Sequence, residues 1–187
     1  MTIYEQIEKI RCLVNPYAMQ QNLKKDGVLW DQMCSCLDVI QDTELAITAY
    51  INREYKENTE GRYLAVYGLL QALFVQQDAS IHLCESIGIS KKIENYPRLN
   101  NIRKIRNDTI GHATKRGSKE KRSYHYISQI TIKHEGFQYL SIDNNGKFSF
   151  EDVFIPDLIS DQKTYISHIL SSVIINLEQM EKLISIG

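Results

Sequence analysis

Arg106 and His112 are the residues of this chain whose types and spacing point most directly to chemistry. They stand six apart in Arg106-Asn107-Asp108-Thr109-Ile110-Gly111-His112, at the end of a predicted helix. An arginine keeps its charge at any working pH and grips phosphate oxygens with a planar fork. A histidine titrates near neutrality and can take or give a proton. Together they have the means to cleave RNA without a metal. The histidine would remove the 2′-hydroxyl proton, and the arginine would stabilise the charge developing on the phosphate. That route needs the 2′-hydroxyl, which DNA lacks.

On an ideal helix, six residues turn the two side chains roughly 120° apart, so they share no stripe. Gly111 can loosen the helix end and let His112 turn inward. Alternatively, two copies of the segment meet across a dimer. A structural reading of the same residues also stands. The histidine would cap a helix C-terminus, favoured by the helix dipole, and the arginine would sit in a surface ion pair.

The text around the motif is basic. Arg103, Lys104, Arg106, Lys115, Arg116, Lys119, Lys121 and Arg122 outnumber Asp108 and Glu120. The whole chain has 22 Lys and Arg against 23 Asp and Glu, so this excess is local. Such a cluster can hold a nucleic-acid backbone, with Arg103, Lys115, Arg116, Lys119, Lys121 and Arg122 as the contacts. The plainer reading is a solvated loop.

The elements that must position these residues follow from periodicity. The chain's 187 residues suit one domain, spanning 1–187. Ile3, Ile7, Ile10 and Val14 mark a first helix. Trp30, Met33, Leu37, Ile40, Leu45, Ile47 and Ile51 mark a long one from about Leu29 to Tyr55. Glu57 to Gly61 reads as a turn. The helix from about Tyr63 to Ser86 is apolar on several sides (Leu64, Val66, Tyr67, Leu69, Leu70, Leu73, Phe74, Val75), which suits a core centre or an interface. Gly88 ends it, and Pro97 opens the helix that carries the motif. Tyr124 to Ile132 is β-prone, and Phe137 to Ile142 alternates. Asp143-Asn144-Asn145-Gly146 is a hairpin turn, and Lys147 to Phe150 completes a meander over about 123–151. Pro156 opens the last helix, from Asp157 to about Ile186. The predicted fold is therefore mainly α, a helical bundle with a small antiparallel β-meander before the C-terminal helix.

Cys12, Cys34, Cys36 and Cys84 lack the paired spacing of a zinc site and read as reduced structural thiols. His82 and Cys84 read as core packing. Tyr124 and Tyr126 can stack on bases, although strand aromatics usually pack on neighbours. No metal or cofactor is expected. No apolar run reaches the roughly 20 residues of a membrane helix. The start of the chain lacks a secretory pattern, so a cytoplasmic protein without a membrane partner is expected.

The motif resembles that of the HEPN superfamily, whose helical bundles carry an Arg, four to six intervening residues beginning with a polar one, and a His. Here Arg106, Asn107 and His112 take those places. The resemblance covers the bundle pattern over most of the chain, but its specific part is these few residues. It implies Arg106 and His112 as catalytic residues, with Asn107, Asp108 and Gly111 assisting. It further implies a homodimeric, metal-independent ribonuclease of the toxin or antiviral-defence type, with a possible antitoxin or other protein regulator. Some members instead bind a nucleotide, RNA or a protein without catalysis. One toxin branch has a Tyr two residues after the His. Thr114 stands there, so that regulation is not implied.

Overall fold

The computed structural model describes residues 1–53, 58–118 and 122–186. Helix α1 (Ile3–Val14) starts on a capping box. The Thr2 hydroxyl accepts from the Glu5 N–H, while the Glu5 carboxylate accepts from the Thr2 N–H. Its buried stripe is the one the spacing predicts: Ile3, Ile7, Ile10 and Val14. After Pro16 the chain forms a short helix α2 (Tyr17–Leu23).

Helix α3 (Gly27–Asn52) begins where Asp26 caps the Val28 and Leu29 N–H groups. Its expected end at Tyr55 lies outside the described residues. Helix α4 (Thr59–Ser86) starts earlier than Tyr63 because Asn58 accepts from the Gly61 N–H. Gly61 is thus inside the first turn of the helix and closes no loop. At the other end Gly88, at φ +77°, lets Ile89 and Gly88 donate back to Cys84 and Glu85.

Helix α5 (Pro97–Arg106) has Pro97 in its first turn, as expected. A three-stranded antiparallel sheet follows in the order β1 (Ser123–Ile127), β2 (Gly136–Asp143), β3 (Phe148–Phe154). The meander therefore extends past residue 151. Ile130 and Ile132, both β-prone, fall outside the strands, around a 3-10 turn at Gln129–Thr131. Helix α6 (Ile155–Ile186) runs on directly from β3.

The helices pack α3 along α4 and α1 along α6, and α4 also meets α5 and α6. Leu70, Leu73, Leu83, Leu99, Ile102, Ile166, Ile169 and Leu170 are fully buried where they meet. Leu45 and Ile51 fit the apolar period of α3 yet are exposed. Conversely, buried Gln162 joins the core by bonding Gln77, Gln76 and the Leu73 carbonyl. Each amide atom so paired avoids the cost of a buried unsatisfied polar group, about 1–3 kcal/mol.

Cys36 and Cys84 are buried, and burial pushes both thiols up to about 11. Their packing role fits expectation. His82, read as a core residue, is exposed. Among the described residues, no helix is long and apolar enough to cross a membrane.

Candidate functional site

Leu99, Ile102 and Ile105 are buried and anchor one face of α5. The helix then widens into a π turn over Asn107–Gly111, closed by the His112 N–H donating to the Asn107 carbonyl at 2.7 Å. Turns of this kind are rare and occur often at functional sites. Asp108 and Thr109 are buried in it, and the Thr109 hydroxyl donates to the Ile105 carbonyl.

The Arg106 side chain is held by neutral groups. Its Nε and Nη2 donate to Gln71 Oε1 at 3.2 and 2.9 Å, and Nη1 donates to Asn107 Oδ1 at 2.9 Å. The guanidinium also lies over the Phe74 ring, 4.3 Å from its centroid. Gly111 leaves room for this arrangement. A Cβ there would come 2.5 Å from Arg106 Nη1 and 3.2 Å from Asn107 Oδ1. The guanidinium thus lies against the residue that precedes His112.

His112 leaves the helical conformation (φ −136°, ψ 34°) and is exposed. No side-chain hydrogen bond or ion pair engages its imidazole among the described residues. The two motif side chains make no hydrogen bond to each other.

Asp108, which the resemblance implies as an assisting residue, is buried in this turn. Its buried carboxylate pairs with Arg116, lies 3.4 Å from Lys104 Nζ, and accepts from the Tyr139 hydroxyl at 3.4 Å. His125 Nε2 lies 3.6 Å from Asp108 Oδ1 and 2.9 Å from Ser123 Oγ. This is no nucleophile triad, because the same ring nitrogen faces both groups. The cluster instead ties the sheet to the π turn.

Burial, then the charges of Arg116 and Lys104, hold the His125 imidazole below its ordinary value of 6.5. Asp108 would pull the other way, but Arg116 and Lys104 already meet its charge. Below about pH 6.5 the unfolded chain takes up a proton that the folded chain refuses. Stability from this group is therefore intact above that pH and falls as the pH drops toward the folded-state value. His125→Gln should flatten the pH dependence of thermal melts between about pH 7 and 5. Parallel curves for the two proteins would show that His125 does not set the acid sensitivity.

The basic residues divide. Arg103 pairs with Asp78 at 2.6 Å and also lies over Phe74, while Arg116 pairs with Asp108. Lys115 is exposed and Arg122 half-buried. Lys119 and Lys121 lie outside the described residues. Arg103, Lys104, Asn107 and Arg116, with Asn100 and Asn101, line a polar groove of about 420 Å³. Arg106 and His112 do not line it.

Gln71, Phe74, Asp78, His125 and Tyr139 belong to the site and escape a reading of the sequence. Gln71, Phe74 and Asp78 share a stripe of α4 at helical spacing, but nothing in their types links them to α5. Among the described residues, no three His, Cys, Asp or Glu side chains converge as metal ligands. Comparison of this chain with protein-family models, curated proteins and solved structures finds no match.

Proposed function

We propose that this protein is a HEPN-type endoribonuclease that needs no metal, of the toxin or antiviral-defence kind, acting as a homodimer. The observation that carries the reading is the state of Arg106 and His112. Arg103 and Arg116 each have a carboxylate partner, whereas among the described residues Arg106 is oriented only by the Gln71 and Asn107 amides and the Phe74 ring. Its charge remains available to a phosphate, and the exposed imidazole of His112 is one residue from the Gly111 it rests on.

In this mechanism His112 takes the proton of a 2′-hydroxyl. The 2′-oxygen attacks the adjacent phosphorus, and the bond to the 5′-oxygen breaks. That oxygen leaves and takes up a proton. The products are a 2′,3′-cyclic phosphate and a 5′-hydroxyl. Arg106 meets the charge on the phosphoryl oxygens as it grows. Purified protein and a broad RNA panel, in a chelator, make the test. Cuts bearing a 2′,3′-cyclic phosphate are expected, and a 2′-deoxy substitution at the cut site should stop them. No cleavage across the panel would overturn the catalytic reading.

The second reading is a module that binds a nucleotide, RNA or a protein without catalysis. The polar groove favours it, because Asn107 and Arg116 line that groove and the motif pair does not.

Assembly has its own support. Leu64, Tyr67, Gly68 and Gln71 form an exposed stripe along α4, with Leu64 76% exposed. It ends at the residue that holds Arg106. A two-fold pairing on this stripe would bring two motifs together. Leu64→Lys with Tyr67→Lys should halve the mass seen by light scattering and abolish cleavage while the helical signal stays. A variant that remains dimeric would place the interface elsewhere.

A further inference from the structure

Helix α5 sends two arginines, Arg103 and Arg106, onto one stripe of α4, and the stripe treats them differently. Both guanidiniums lie over the Phe74 ring, at 4.1 and 4.3 Å from its centroid. One helical turn beyond Phe74, Asp78 takes Arg103 in an ion pair. One turn before it, Gln71 takes Arg106. Gln71 Oε1 accepts from both Nε and Nη2, the fork that a carboxylate fills in an ion pair. The amide must present its oxygen there, because a guanidinium has donors only. Asp108, the acid inside the motif, is turned to Arg116. Arg106 is thus held as an ion-paired arginine would be, by a group that carries no charge. The donors show what this clamp leaves open. A guanidinium has five N–H groups. Gln71 engages the one on Nε and one on Nη2, and Asn107 engages one on Nη1. Among the described residues, one N–H on each terminal nitrogen has no partner. Donors on the two terminal nitrogens can meet two oxygens of one phosphate.

We infer that Gln71 is a positioning residue, a neutral clamp that holds Arg106 for the scissile phosphate of an RNA. It fixes the guanidinium so that the two open N–H groups meet the non-bridging oxygens, and it leaves the positive charge undiminished. The inference rests on the ribonuclease reading above. Gln71 itself touches neither RNA nor the reacting atoms and acts only through Arg106. Its neutrality is the feature that matters, and one substitution isolates it. Glutamate has nearly the size and shape of glutamine. Gln71→Glu would keep both hydrogen bonds and strengthen them with charge. The same carboxylate would cancel the charge that a phosphate needs and repel the phosphate directly. Fold and function therefore move in opposite directions at this position. A Gln71 that merely supported the packing of α5 on α4 would be improved by the same change.

The test uses the full chain, the RNA panel above, and fluorescein-labelled 2′-O-methyl copies of it, which lack the attacking hydroxyl. Gln71→Glu should slow cleavage about 10²-fold, with a melting temperature equal to wild type or higher. Gln71→Met keeps the bulk and the charge of Arg106 but frees the guanidinium to turn. It should slow cleavage about tenfold. In fluorescence anisotropy, Gln71→Glu should also weaken binding of the 2′-O-methyl RNA about tenfold, as Arg106→Ala does. A supporting role in the fold predicts the reverse order of the two Gln71 variants. A Gln71→Glu variant that cuts as fast as Gln71→Met, or faster, overturns the clamp. So does a loss of dimer mass in either variant, which assigns the effect to the exposed stripe of α4. The outcomes also separate this inference from the catalytic one. Both Gln71 variants cutting as wild type does, while Arg106→Ala does not, keep the ribonuclease and remove the clamp. A wild type that cuts no RNA, with affinity lost in both Gln71→Glu and Arg106→Ala, keeps the clamp and removes the ribonuclease. A wild type that neither cuts nor binds, or a Gln71→Glu variant of unchanged affinity, overturns the clamp.

Discussion

His112→Ala should reduce RNA cleavage by at least about 10²-fold, up to about 10⁴-fold, with its melting temperature close to wild type. The size is that of a positioned general base. The separation from stability follows from the site. The imidazole is exposed and engaged by no side-chain hydrogen bond or ion pair among the described residues, so its removal breaks no packing. Arg106→Ala should lose activity comparably, but it also removes bonds to Gln71 and Asn107 and the contact with Phe74. A modest drop in melting temperature should accompany it.

Gly111→Ala distinguishes orientation from charge. The new methyl group would meet the flexible end of Arg106, so the fold can accommodate it while the guanidinium must move. Activity should fall about tenfold or more with the charge still present, because a misplaced donor loses much of its effect on the transition state. Initial cleavage rates for the three variants, with melts as controls, decide the matter. A folded His112→Ala protein that cuts as fast as wild type removes the assignment and leaves the binding module.

Arg116→Ala should cost about 3 kcal/mol of stability, at the low end for breaking a buried pair, because Lys104 still lies near the abandoned carboxylate. For a chain of this length that lowers the melting temperature by roughly 6–12 °C. The reason is the asymmetry of the pair. The Asp108 side chain is 4% exposed, whereas that of Arg116 is 33% exposed, so the acid cannot turn to water when its partner is removed. Adding Asp108→Asn should recover part of the loss, since a neutral amide tolerates burial better than an unpaired charge. Thermal melts of the two single variants and the double variant measure this coupling. Melting curves for Arg116→Ala that overlay the wild type would reduce the pair to an ordinary surface ion pair.

Much of the fold is legible in the residues. Ile3, Ile7, Ile10 and Val14 repeat at the helical period and are buried together. Gly88 and Pro97 end and begin helices because each restricts or frees its own backbone, whatever surrounds it. Asp143 to Gly146 turns the hairpin for the same kind of reason, with Gly146 at φ +76°. Where local preference and packing disagree, the pattern misleads. Leu45 and Ile51 carry the period of α3 but stay exposed, and Gln162 breaks the apolar pattern of α6 yet finds three partners in the core. Asn58 moved the start of α4 forward, because a capping bond outweighs the presence of Gly61 in the first turn.

The sequence by itself determined a mainly helical chain with a small meander before the last helix, and singled out Arg106 and His112. Those features depend on backbone preference, side-chain period and residue type, which are local. Only the tertiary structure decided which charges are engaged. Arg103, Arg106 and Arg116 are the same residue type within one basic stretch. Packing gives Arg103 to Asp78, Arg116 to Asp108, and Arg106 to the Gln71 amide on α4. Partner identity is set by elements up to 35 residues away along the chain, and no spacing rule carries that information. The same holds for Asp108, which lies inside the motif but is turned by Arg116, Tyr139 and His125 into the anchor between sheet and π turn. Burying a carboxylate is costly, so the residues able to meet its charge, rather than its place in the motif, set its role.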